Sequence, residues 1–453
     1  MNNNTFISIL AKGLVGCTMG AVMTACTFEQ DDYFSETASL RVTHMNENIQ
    51  NRLVEQSSNG NHGWVIQYFV AGTDDYDFEG FTLFGNFYQN NKVTLAGNHR
   101  FLRDGHANQY TEATSTYEML AEEGPVLAFN TWNDILTVLV DPVDPSAAPR
   151  SVVQNGEGMF GDQNLVLTSY ADDEMVFSGE RHRAQVRFVP CDRPWQDYID
   201  AAAKTKADIA TTALTSYYVT NGTDTMYFSM LNRGYFNYCD RVNNPLKNKV
   251  LSCVFTPQGF RINHVDSLGQ NTFQEFTMAA DSTKLLSEDG QTQVIACWDN
   301  YIINHTAVWN LDTAQFSDQQ KQLYQQMDAQ FKVYNSSCSI ANIGIGKSSG
   351  SNAVTGLVVT FYTNAAKTRS NTVGLALDMS KPAFGQINIY SDTDSAVDRN
   401  MTSVGTRATN LEALVRDFAS TLNGQYSITP NNYFAPTGGK FESINGGTTF
   451  VLQ

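Results

Sequence analysis

Met23-Thr24-Ala25-Cys26 carries the most definite chemistry in this chain. Small residues directly before a cysteine let lipoprotein signal peptidase cut so that Cys26 becomes the new N-terminus. Its thiol then takes a diacylglycerol and its amine a third acyl chain. Each buried methylene contributes about 0.8 kcal/mol, so three chains would anchor the protein almost permanently. The residues ahead fit this. Lys12 supplies a sparse positive charge, and Gly13 to Ala25 is an uncharged, apolar-to-small run too short to span a bilayer. Residues 1–25 therefore read as a signal peptide and residues 26–34, with Glu29, Asp31 and Asp32, as an acidic tether.

Other constellations are weaker. Ala341 to Ser348 loosely fits a phosphate-binding loop, which needs a helix N-terminus behind the phosphate. Gly346-Lys347-Ser348-Ser349-Gly350 also fits the spacing of a nucleophile elbow, which needs a sharp strand-to-helix turn. A strand pattern follows in both cases, so the segment reads as a polar hairpin loop. His44, His62, His99, His106, His182, His264 and His305 form no close zinc spacing. Arg181-His182-Arg183 reads as a solvated turn. Asp74 to Glu79 packs hard oxygens that could ligate calcium, but without the EF-hand frame it reads as an exposed acidic loop. Asp392, Asp394 and Asp398 read the same way. No catalytic residue, metal ligand or cofactor is expected.

Cys17 would leave with the signal. Cys191, Cys239, Cys253, Cys297 and Cys338 remain, an odd set without close pairs, and so neither a disulfide framework nor a CxxC metal site. They read as buried free thiols, with a Cys239–Cys253 pair across a hairpin as the alternative. The net charge is −17, or −18 once Lys12 is lost with the signal. Such a chain is repelled by nucleic acid and by anionic lipid. The acids are spread along the chain, as solubility requires, and no later segment is apolar enough for a membrane helix.

The elements that must position these residues follow from periodicity. Ser35 to Gln56 reads as a helix capped by Ser35, with Ala38, Val42, Met45, Ile49 and Leu53 on one stripe. Strands then run from Trp64 to Val189. Trp195 to Leu214 reads as a second helix opened by Pro194, followed by strands from Thr225 to Trp298. Ser317 to Tyr334 reads as a third helix and Leu411 to Leu422 as a fourth, with strands between and after them. Helices followed by runs of strands argue for α+β, with mostly antiparallel sheets, each segment introduced by a helix. Two to three domains are expected: 35–192, 193–312 and 313–453. Alternating strands bury half of their aromatics, so Trp64, Trp132 and Trp298 are expected in the core. Trp195 and Trp309, near segment boundaries, are expected at the surface.

Gly124-Pro125-Val126-Leu127-Ala128-Phe129-Asn130-Thr131-Trp132-Asn133 resembles the Gly-Pro-Val-Leu-Thr-Phe-Asp-Thr-Tyr-Asn signature of the domain-of-unknown-function 4302 lipoproteins of Bacteroidota. Tyr33-Phe34-Ser35-Glu36 with Arg41 is similar to the family's opening helix, and Gly63 to Tyr68 to its Gly-Trp strand. Asp173 to Gly179, then Arg187 to Pro190, match its closing strand pair, and Pro194-Trp195 opens a helix as in the family. Leu136 stands where the family often has His, and Asn164-Leu165 replaces an acidic-aromatic pair. The acids behind Cys26 resemble a Bacteroidota surface-export signal, which implies the outer face of the outer membrane. The resemblance further implies an accessory, non-catalytic binding role in nutrient uptake. A TonB-dependent transporter and its lid lipoprotein would be the partners, and a glycan or peptide the ligand. A hydrolase with an unrecognised site, or a structural or adhesive surface protein, is the alternative.

Overall fold

The computed structural model describes residues 36–58, 60–71, 79–122, 124–141, 159–210, 214, 216–231, 235–241 and 244–453, with only the backbone at 38 and 230–250. Helix α1 (Ala38–Gln56) is capped by Thr37, whose hydroxyl accepts the Leu40 N–H, rather than by Ser35. Ile49 and Leu53 of its apolar stripe are fully buried, while Met45 is exposed. Eight strands follow: β1 (Trp64–Phe69), β2 (Phe81–Phe87), β3 (Lys92–Gly97), β4 (Thr111–Ala121), β5 (Pro125–Phe129), β6 (Asn164–Tyr170), β7 (Met175–Gly179) and β8 (Gln185–Pro190). They form an antiparallel meander that closes on itself. β8 returns to pair with β1, Trp64 opposite Pro190 and Phe69 opposite Gln185.

The interior of this barrel is filled by side chains, as eight strands allow. Phe87, Tyr117, Phe129, Phe177 and Phe188 occupy its core with Ile66, Leu83 and Leu95. Phe87 meets Tyr117 edge-on at 5.0 Å between ring centroids, a favoured aromatic geometry. α1 lies against the barrel, and the Trp64 Nε1–H donates to the Leu53 carbonyl at 3.1 Å.

The arrangement is repeated. Helix α2 (Trp195–Ile209) precedes β9 (Ser216–Thr220), β10 (Thr225–Leu231), β11 (Tyr235–Arg241), β12 (Asn244–Phe255), β13 (Gly259–Leu268), β14 (Asn271–Met278), β15 (Leu285–Ser287) and β16 (Gln293–Ala296). β16 pairs back onto β9, Ala296 opposite Tyr217, to close a second eight-stranded barrel. The Tyr217 hydroxyl donates to the Ile209 carbonyl, so an aromatic of the first strand again clasps the end of the preceding helix. α2 ends at Ile209, short of the Leu214 expected from the sequence. Its Trp195 and Tyr198 pack on the outer face of the first barrel against Val65, Phe84 and Ala96. This second cover explains why β1 is buried on both faces.

A short helix α3 (Trp298–Asn304) leads into two open sheets. One orders β17 (Trp309–Asn310), β18 (Ser339–Lys347), β19 (Thr355–Tyr362) and β20 (Ser370–Ala376). The other orders β21 (Asp378–Ser380), β22 (Gln386–Tyr390), β23 (Gly424–Pro430), β24 (Gly439–Ser443) and β25 (Phe450–Leu452). The backbones of Asn310 and Gln453 exchange hydrogen bonds of 2.8 and 2.9 Å and tie the sheets together. Helices α4 (Asp318–Tyr334), α5 (Arg399–Gly405) and α6 (Leu411–Ser420) complete the region. α4 opens with a reciprocal Ser317–Gln320 capping box. One continuous core runs from the interior of the second barrel through Trp298, Ile302 and Trp309 to Phe331, Phe418 and Phe450. The protein is thus α+β with mostly antiparallel sheets. No helix among the described residues is long and apolar enough to cross a membrane.

Candidate functional site

The barrels meet at Gly80. Its N–H donates to the Cys253 carbonyl at 3.2 Å. A Cβ at this position would lie 2.5 Å from the Phe69 ring and 2.6 Å from a Val254 methyl, so the close approach requires glycine. Beside this contact opens a cleft of about 300 Å³. The first barrel supplies Glu79, Phe81, Thr82, Asn98, His99, Arg100 and Asn108; α2 supplies Tyr198, Ile199, Ala202, Ala203 and Lys206; β12 supplies Cys253, Val254 and Phe255.

Its polar groups are held in fixed poses. The Arg100 Nε–H donates to Glu79 Oε1 at 2.7 Å, and the guanidinium lies 4.3 Å from the centre of the Phe101 ring. Arg100 Nη2 is buried with no acceptor. His99 Nε2 donates to the Ile135 carbonyl at 3.0 Å, which fixes that tautomer, and Nδ1 is buried without a partner. Burial holds the His99 imidazole down to about 4, so it is neutral near pH 7. Burial also pushes up the Cys253 thiol and the Tyr198 phenol. The Lys206 ammonium sits 5.6 Å from the centre of the Phe255 ring, a cation–π contact. A protonated thiol, a neutral imidazole tied to a carbonyl and an ion-paired carboxylate make recognition groups, not an activated nucleophile with its base.

The residues singled out by sequence are dispersed. Cys26 and Asp74 to Phe78 lie outside the described residues. Glu79, from the same acidic stretch, is ion-paired in the cleft. Ser348 and Ser349 lie in the β18–β19 hairpin, where the Ser348 hydroxyl accepts the Val354 N–H at 3.1 Å and Ser349 Oγ lies 2.7 Å from Thr372 Oγ1. Asn400, in the first turn of α5, donates to the Ser349 and Thr372 carbonyls, and the chain leaves the loop into β19 rather than into a helix, so the strand-to-helix turn of a phosphate loop or nucleophile elbow is not formed. Arg181 and Arg183 are exposed; the Arg181, His182 and Ala184 N–H groups all donate to the buried Asp162 carboxylate. Asp398 is buried, and its carboxylate caps α5 by accepting the Met401 N–H at 2.8 Å. Among the described residues, no group of three or more His, Cys, Asp and Glu side chains converges on a metal position.

Cys191, Cys253, Cys297 and Cys338 are buried and joined in no disulfide among the described residues, while the Cys239 side chain lies outside the described part. The tryptophans correct the sequence-based expectation. Trp64 and Trp298 are core residues, but Trp132 is 49% exposed, its Nε1–H donating to Asp134 at 2.6 Å and the Arg103 guanidinium resting on its ring. Trp195 and Trp309 are buried, Trp195 in the interface between α2 and the first barrel and Trp309 stacked on His305 at 3.8 Å. Boundary segments here are packing seams, not linkers. Lys206 and Arg100, the cations of the cleft, carried no spacing signal in the sequence.

No curated protein matches this chain. Among solved structures, the DNA polymerase III subunit beta from Pseudomonas aeruginosa is 7% identical, the match covering 91% of this chain and 97% of that one, at a TM-score of 0.12. The beta subunit from DNA polymerase of Streptococcus pyogenes is 9% identical, covering 90% and 96%, at a TM-score of 0.11. Likeness at such scores carries no argument about this protein. A family model does match, over residues 30–280, which include α1, the first barrel, α2 and most of the second barrel. By that match the chain belongs to the family described as Domain of unknown function (DUF4302).

Proposed function

We propose that this protein is lipidated at Cys26 and acts on the outer face of the outer membrane as a non-catalytic binding component of a nutrient uptake system. The cleft between the barrels carries this reading. It is concave, walled by the first barrel, α2 and β12, and lined by apolar and polar side chains in about equal share, with His99 and the Glu79–Arg100 pair held in place, a lining that can both enclose and orient a small ligand. The Met23-Thr24-Ala25-Cys26 pattern supports the anchor, and the acidic tether supports a position on the cell surface. A TonB-dependent transporter with its lid lipoprotein is the proposed partner.

Two measurements test this. Labelled palmitate should enter the wild-type chain and not Cys26→Ser. Affinity purification of the lipidated protein from native outer membranes, read by mass spectrometry, should bring down a transporter and its lid. A chain that takes up no lipid, or that purifies alone, overturns the corresponding half of the proposal.

A further inference from the structure

We infer that the inter-barrel cleft recognises a small carboxylate with a short apolar body, taking the carboxylate on Lys206 and Arg100. This rests on the cleft being the binding site. Three observations favour a small anion.

The first is an imbalance of donors. Glu79 engages only the Nε–H of Arg100, and Nη2 on the same guanidinium is buried with no acceptor. A buried donor without a partner is costly, and a guanidinium is shaped to accept a second carboxylate. The second is Lys206. Its ammonium faces the Phe255 ring and has no carboxylate within ion-pair distance among the described residues, in a chain of net charge −17. A carboxylate only accepts hydrogen bonds, which suits these two cations. The third is size and lining. About 300 Å³ lies at the lower end of ligand pockets, which suits a small ligand. Phe81, Ile199 and Val254 offer an apolar wall for a short hydrocarbon body.

Calorimetry on the full mature protein in detergent, titrated with 4-methylpentanoate, 4-methylpentanamide and N-acetylglucosamine, tests this. The acid should bind at least about tenfold more tightly than the amide, since the two differ in charge and not in size. Lys206→Gln should remove that preference, bringing the acid to within about twofold of the amide. Ala203→Trp, at an exposed helix position on the cleft wall, should abolish binding of both. Equal binding of acid and amide, lost in Ala203→Trp, overturns the carboxylate and keeps the cleft as a binding site. Binding of N-acetylglucosamine alone does the same. Binding of the acid that persists in Ala203→Trp overturns the location, and no binding of the acid overturns the inference outright.

Discussion

Arg187 on the first barrel and Glu275 on the second meet at 3.1 Å, so one ion pair spans the seam between the two closed sheets. Arg187 also holds Glu174 at 2.5 Å, and Glu275 lies 3.4 Å from Arg261. Each partner of the central pair therefore has a second, oppositely charged neighbour on its own barrel. Burial and the nearby Arg187 hold the Arg261 guanidinium below its usual range. Glu275 is the group that keeps these two arginines compatible.

Glu275→Gln should loosen the seam. It leaves Arg187 and Arg261 facing each other with no shared carboxylate. A loss of about 1–3 kcal/mol in denaturant unfolding is expected, with earlier proteolytic cutting between β8 and α2. An unfolding midpoint equal to that of the wild type would show that Gly80 and α2 hold the barrels without it.

Lys381→Met should loosen another seam to a similar extent. Asp299 is wholly buried between α3 and the β21–β22 loop, with Lys381 Nζ at 3.1 Å. Without the lysine its carboxylate keeps only the Asn300 and Gly385 N–H groups. Removing one member of a buried pair costs about 3–5 kcal/mol, and the partial exposure of Lys381 lowers the expectation to roughly 1–3 kcal/mol. Thermal unfolding of the variant is the check.

Asp162→Ala should cost about 2–4 kcal/mol, because three backbone N–H groups of the β7–β8 turn lose a charged acceptor. Asp162 also packs against Gly179, where a Cβ would lie 1.9 Å from its carboxylate oxygen. Hydrogen exchange should show the Arg181, His182 and Ala184 amides losing protection first.

The pH dependence of stability should carry a His99 signature. Its folded pKa of about 4 lies below the unfolded value of 6.5, so the unfolded chain binds the extra proton first. Stability attributable to His99 is complete above pH 6.5 and declines as the pH falls from there to about 4. The loss should reach roughly 2–3 kcal/mol at the acid end. His99→Gln should flatten that part of the curve, and an unchanged slope between pH 6.5 and 4 would remove His99 as its source.

Local patterns carried the helices well and the closures not at all. Ser317 and Gln320 form the box that their spacing implies, and the apolar stripe through Ile49 and Leu53 is the buried face of α1. The short helices α3 and α5, seven residues each, have too few turns to show a period. Pairing of Trp64 with Pro190 joins the two ends of a meander, and no local signal encodes it. The tryptophans erred for the same reason. Trp195 lies near a segment boundary, yet the outer face of β1 to β3, at Val65, Phe84 and Ala96, buries it. The cleft was legible only in pieces. Glu79, His99 and Cys253 each stood in a group weighed for other chemistry, whereas Lys206 is one lysine on a helix until the second barrel brings Phe255 beneath it.

Closing each meander with its own first and last strands also sets where the chain can be cut. β1 has both neighbours only when β8 is present, and β9 only when β16 is present. A fragment ending earlier would carry a long unpaired strand edge, the usual template for self-association. A complete eight-strand ring is therefore the least that keeps its strand edges paired; the first ring needs α2 as its outer cover, and the second needs the C-terminal sheets with which it shares a core. Trimming within a ring should yield insoluble material rather than a smaller domain.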